Sequence, residues 1–108
     1  MDEKRRTRRH LERMPALPEE IVKALLTTAA RIDERGLSGD DVDSLERAGL
    51  RLRVEMHPSE PGWWRAEVAH GGRYAPVIVD EDAGNAAARA MRAAVVHGFT
   101  LADAGLGP

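Results

Sequence analysis

The chain has no cysteine among its 108 residues. That excludes disulfides, thiolate metal centres and cysteine nucleophiles, and it suits a reducing cytoplasm. Aromatic residues are scarce: two tryptophans, one tyrosine and one phenylalanine. No apolar run reaches the roughly 18 residues that a membrane span requires, so no membrane association is expected. The basic N-terminus is not followed by the apolar stretch of a secretory signal. The four histidines, His10, His57, His70 and His97, share no close ligand spacing, and no His-Glu-x-x-His pattern occurs. No metal site is expected. The serines are Ser38, Ser44 and Ser59 alone, and no nucleophile elbow, phosphate loop or dinucleotide fingerprint surrounds them. No cofactor and no catalytic residue is assigned.

What is present is an ordinary globular composition, 43% hydrophobic and 31% charged, at a length that suits one domain with one modest core. The formal charge of −2 hides an asymmetry. Residues 1–14 carry six basic side chains, Lys4, Arg5, Arg6, Arg8, Arg9 and Arg13, against three acids. The remainder carries ten basic residues and fifteen acids. Residues 1–15 read as a flexible basic arm, and residues 16–108 as a single α+β domain, mildly acidic. Met14-Pro15-Ala16-Leu17-Pro18 forms the hinge, because each proline steers the residue before it away from helix.

A first helix is expected over about residues 18–35, with Pro18 at its first position and Glu19 and Glu20 complementing the positive helix end. Ile21, Leu25, Ala29 and Ile32 recur at helical spacing, Val22 and Leu26 widen the stripe, and Gly36 ends it. Ser38-Gly39-Asp40-Asp41 reads as the cap of a short second helix, about 39–48, anchored by Val42, Leu45 and Ala48.

The period then changes to two. Leu50-Arg51-Leu52-Arg53-Val54-Glu55-Met56-His57 alternates, turns at Pro58–Gly62, and alternates again from Trp63 to Ala69. Pairing His57 with Trp63 places Met56, Val54 and Leu52 opposite Trp64, Ala66 and Val68 on the core side. It also places Glu55 opposite Arg65 and Arg53 opposite Glu67 on the other side. Each opposite-charge pair favours this register by roughly 0.2–1 kcal/mol, and a slip of one residue would put the apolar set into water.

After His70-Gly71-Gly72-Arg73, a third strand is expected over Tyr74–Val79, at an edge because Pro76 has no N–H for a ladder. Asp80-Glu81-Asp82 then precedes a helix over about 82–97 that buries Ala83, Ala87, Ala90, Met91, Ala94 and Val95. Gly98 caps it, and Phe99 folds back on its last turn. The order is α-α-β-β-β-α: a three-stranded antiparallel meander covered on one face by helices.

The hairpin Leu52–Val68, the Gly71-Gly72 turn and the alanine-rich helix from Ala83 give a layout that resembles the double-stranded-RNA-binding fold. It is similar also to the β-β-β-α domain of HicB-type antitoxins. The first resemblance implies cationic residues where the last helix begins. Asp80, Glu81 and Asp82 stand there instead, and carboxylates repel phosphate. The second implies a protein partner.

Trp63 is the principal candidate for a binding site. Alternation turns it to the solvent side beside His57, and exposed tryptophan is enriched at binding hot spots. With Arg51, Arg65 and Tyr74 it would form a platform for a protein. The competing reading is that the first helix or the tail covers it. Trp64 belongs to the core. Asp80–Asp82 could hold a hard cation, but helix capping accounts for the same acids. The expectation is a small non-catalytic module acting through protein–protein interaction: a regulator, inhibitor or antitoxin-like chain. The alternative is a nucleic-acid-binding protein whose arm contacts phosphates. The second alternative is a small enzyme without a recognisable motif. A homodimer through the edge strand Leu50–His57, or through the first helix, fits each of these.

Overall fold

A computed structural model describes residues 17–100. The arm residues Lys4, Arg5, Arg6, Arg8, Arg9 and Arg13, and the tail leucines Leu101 and Leu106, lie outside the described residues.

Two helices come first: α1, Glu19–Arg35, and α2, Gly39–Arg47. Pro18 sits one position earlier than its residue type suggests, as the N-cap, where its carbonyl accepts from the N–H groups of Ile21 and Val22. Gly36 ends α1 at φ 84°, a backbone conformation that favours glycine. The start of α2 is fastened through Asp41. Its Oδ2 accepts from the Ser38 N–H at 3.0 Å and the Ser38 hydroxyl at 3.1 Å, while Oδ1 faces Arg31 Nε of α1 at 3.2 Å. Asp41 is only 2% exposed. The cap is therefore also the joint between the two helices.

The sheet follows: β1, Leu50–Met56; β2, Trp64–His70; β3, Arg73–Tyr74; and β4, Ile78–Asp80. β1 and β2 pair antiparallel in the register that the charge pattern favours, with Leu52 on Val68, Arg53 on Glu67, Val54 on Ala66, Glu55 on Arg65 and Met56 on Trp64. The second strand starts at Trp64, not Trp63, although the His57 N–H still donates to the Trp63 carbonyl at 2.8 Å. The third strand expected over Tyr74–Val79 is two short ones, both on the far edge of β2. Pro76 lies in the break. It lacks the N–H that a continuous ladder needs, and the edge tolerates the interruption.

The last helix, α3, is Ala83–His97. Asp82 caps it, accepting from the Asn85 N–H at 2.9 Å. Ala86, Ala87, Ala90, Met91 and Ala94 have no exposed surface, and α3 packs against α1, β2 and β4. Small side chains let the helix lie close on two partners at once. Ala83 and Val95, expected inside, are half-buried, while Ala86 and Ala88 are buried. The helix is covered on two sides, a wider arc than a single stripe describes. The beginning of α3 lies by the end of α1: a Cβ on Gly84 would come within 3.5 Å of Ile32 Cγ2. The core joins Ile21, Leu25, Ala29 and Ile32 of α1 and Leu45 of α2 to Leu50, Leu52, Ala66 and Val68 of the sheet.

Two apolar residues expected inside are not. Met56 is 64% exposed, since the tip of the hairpin extends past the helical cover. Leu26 is 44% exposed, at the outer flank of α1. Phe99, in contrast, is buried, with its ring tilted against His70, centroids 5.4 Å apart.

Candidate functional site

Paired residues in an antiparallel sheet point to the same face. The face away from the helices can therefore be laid out in rows. One end holds Arg51, Ala69 and Tyr74. Next come Arg53 and Glu67, then Glu55, Arg65 and Val79, and at the hairpin end His57 and Trp63. None of the described helices lies on this face.

Charge is settled in the middle. Glu55 bonds Arg65 across the strands through one oxygen, and its other oxygen lies 3.6 Å from Arg53. Glu67, expected on the wet face, is 1% exposed. It occupies the central strand opposite Arg53, whereas Arg51 and Val79 stand on edge strands and keep their water. Arg53 and Glu67 are both engaged, as a buried carboxylate requires.

The hairpin end carries the apolar exposure. Trp63 is 38% exposed, and Val79, one row further in beside Arg65, is 41% exposed. Trp64 points the other way and packs partly buried against the core. His57 is built into its turn. Its Nδ1 accepts from the N–H groups of Ser59 at 3.2 Å and Glu60 at 3.1 Å. This leaves the ring proton on Nε2 in the neutral form, and Nε2 is turned away from those bonds. The Trp63 N–H donates to the Glu60 carbonyl at 3.1 Å, so the backbone of the exposed tryptophan is held at both its groups.

Of the five residues expected to form one platform, Trp63, His57 and Arg65 come together. Arg51 and Tyr74 share the face but stand at its other end. Six steps along the extended chain lead from Arg51 to His57, about 20 Å in a strand. Spacing along the sequence gave their side of the sheet but not the rows between them. Around Arg51 and Tyr74 lies a separate notch of about 240 Å³, also lined by Gly49, His70, Gly71 and Gly72. It contains no acid. Val79 belongs with Trp63, although the sequence offered only its place in a strand after Pro76 as a clue.

At the start of α3, the acids act on the helix. Asp80 accepts from the Asp82 N–H at 3.0 Å and pairs with Arg89 Nη1 at 2.8 Å. The backbone bond first, and the guanidinium second, hold its carboxyl below the ordinary value of 3.8. No group of three or more potential metal-ligating side chains occurs among the described residues. None of the described helices is long and apolar enough to cross a membrane.

No family model, curated protein or solved structure matches this chain.

Proposed function

We propose that this chain is a small non-catalytic binding module that engages a protein partner through the helix-free face of its sheet. The observation that carries this reading is Trp63, more than a third exposed next to exposed Val79, on a backbone fixed by hydrogen bonds. A rigid aromatic that loses little entropy on contact is the usual anchor of an interface. The row of Glu55 and Arg65 beside it is internally neutral, so the anchor is flanked by polar groups already paired. At the other end, Arg51 and the acid-free notch suit an acidic side chain of the partner. Arg53 and Arg65, the cations in the middle of the face, are already paired with Glu55 and so offer little to a phosphate backbone there. A regulator, inhibitor or antitoxin-like role fits such a surface.

The basic arm supports the second reading, nucleic-acid binding, and one experiment separates the two. The tagged full chain is used to capture partners from host extract, alongside Trp63→Ala and a variant lacking residues 1–14. A protein retained by the truncated chain and weakened roughly 30-fold by Trp63→Ala, as a hot-spot residue requires, supports the proposal. Capture that survives Trp63→Ala, with circular dichroism unchanged, overturns it. Capture lost on truncation or nuclease treatment points to the arm and nucleic acid.

A further inference from the structure

β1 is an edge of the sheet, and among the described residues it pairs only with β2. Two hydrogen bonds reveal which of its backbone groups face outward. The His57 N–H donates toward β2, to the Trp63 carbonyl. The Val68 carbonyl, opposite Leu52, accepts from the Ala75 N–H on the far side of β2 at 2.9 Å. This orientation alternates along an antiparallel ladder. Arg51, Arg53, Glu55 and His57 therefore bond inward, while Leu50, Leu52, Val54 and Met56 hold their N–H and C=O groups away from β2, on an edge that is well covered at Leu50 and opens toward Val54 and Met56.

We infer that this edge pairs with the same edge of a second copy, antiparallel, about a two-fold axis through Val54. Outward groups meet outward groups only when the axis passes through a residue of the strand. An axis at Leu52 sets Arg51 against Arg53 of the other copy. One at Arg53 sets that arginine against itself, and one at Glu55 does the same with a carboxylate. At Val54, Arg53 faces Glu55 of the second copy, twice. Arg51 then faces His57, whose Nδ1 is already taken up by its turn. Charges on an edge strand normally deter pairing. Here they deter three of the four registers centred between Leu52 and Glu55 and complement themselves in the fourth.

The exposed methionine also gains an apolar neighbour in this register. Met56 is 64% exposed at the hairpin end, and with the axis at Val54 it lies opposite Leu52 of the second copy. A two-fold axis perpendicular to the sheet keeps both sets of helices on one side. Both Trp63 side chains then share the other side, as parts of one continuous sheet. This inference does not depend on the partner proposed above: the edge and the face are different surfaces, and either is testable without the other.

The absence of cysteine makes the test direct. On the axis, Val54 is its own neighbour, with paired Cα atoms about 5.5 Å apart, within the roughly 4.4–6.8 Å that a disulfide spans. Val54→Cys should oxidise to a covalent dimer at least about tenfold faster than Val79→Cys, which is exposed on the opposite edge. The wild-type chain should sediment at twice its 11.8 kDa. Val54→Pro removes an N–H that the bond to β2 does not use, so it should sediment as a monomer with unchanged circular dichroism. If that variant fails to fold, the cross-linking comparison stands alone. A wild-type chain that is monomeric throughout the micromolar range overturns the inference. So does a Val54→Cys chain that oxidises no faster than Val79→Cys.

Discussion

Asp41 and Asp33 each pair with an arginine, and the two should differ sharply in what they contribute. Asp41 is 2% exposed, takes two hydrogen bonds from Ser38 and faces Arg31 at 3.2 Å. Asp33 pairs with Arg92, but both side chains are almost half exposed. Removing a helix cap costs about 1 kcal/mol. Breaking a buried ion pair costs roughly 3–5 kcal/mol, but Arg31 is 39% exposed and water can take up its charge, so about 1–2 kcal/mol is the appropriate share. Asp41→Ala should thus lose about 2–3 kcal/mol. At roughly 4 °C per kcal/mol for a domain of this size, Tm should fall by about 8–12 °C. Asp33→Ala should lose no more than about 1 kcal/mol. Asp41→Asn, which keeps a carbonyl for the Ser38 N–H but loses the charge, should fall between them. Thermal and urea unfolding of the three variants provide the comparison. Equal losses for Asp33→Ala and Asp41→Ala would refute the reasoning, because burial would then not be what separates the two pairs.

The carboxyl of Asp80, held low by the Asp82 N–H and by Arg89, contributes above the ordinary carboxylate value, and the contribution disappears as pH falls through the folded value. Asp80→Asn should therefore melt below wild type at pH 6 and approach it in stronger acid, as thermal scans across that range can show. Ala90 has no exposed surface on the side of α3 that meets its neighbours. Ala90→Leu should cost roughly 1–3 kcal/mol in urea unfolding through overpacking, although leucine is a good helix former. His57→Phe deprives two turn N–H groups of their acceptor. Water reaches this turn, so a loss of about 0.5–1.5 kcal/mol is expected, together with faster amide exchange at Ser59 and Glu60.

The period-two pattern and the signs of Arg53, Glu55, Arg65 and Glu67 suffice to read the hairpin register, because pairing is local and charge complementarity is one-dimensional. Helix ends were legible for the same reason: Gly36, Asp82 and Gly98 act on their own neighbours. Burial was less legible. Alternation gives the side of a sheet but not where the helices above it stop, and so Met56 reads as core yet stands in water. Glu67 reads as wet yet is enclosed, in mid-strand on the one strand that has partners along both its edges. The break at Pro76 was signalled by its missing N–H, but two strands sharing one edge of β2 could not be told from one. The candidate site was half legible. Trp63, His57 and Arg65 meet through the hairpin itself, whereas the partnership with Val79 is set by β4 crossing back to β2. The platform of five divided because Arg51 and Tyr74 lie several rows away.

The two adjacent tryptophans decide which face of the sheet is which. Trp63→Phe leaves Trp64 as the sole indole, and Trp64→Phe leaves Trp63. Fluorescence quenching by acrylamide should be strong, with red-shifted emission, in the chain that retains Trp63, and weaker, with bluer emission, in the chain that retains Trp64. The opposite ranking in folded protein would put Trp63 inside and leave the helix-free face without its anchor.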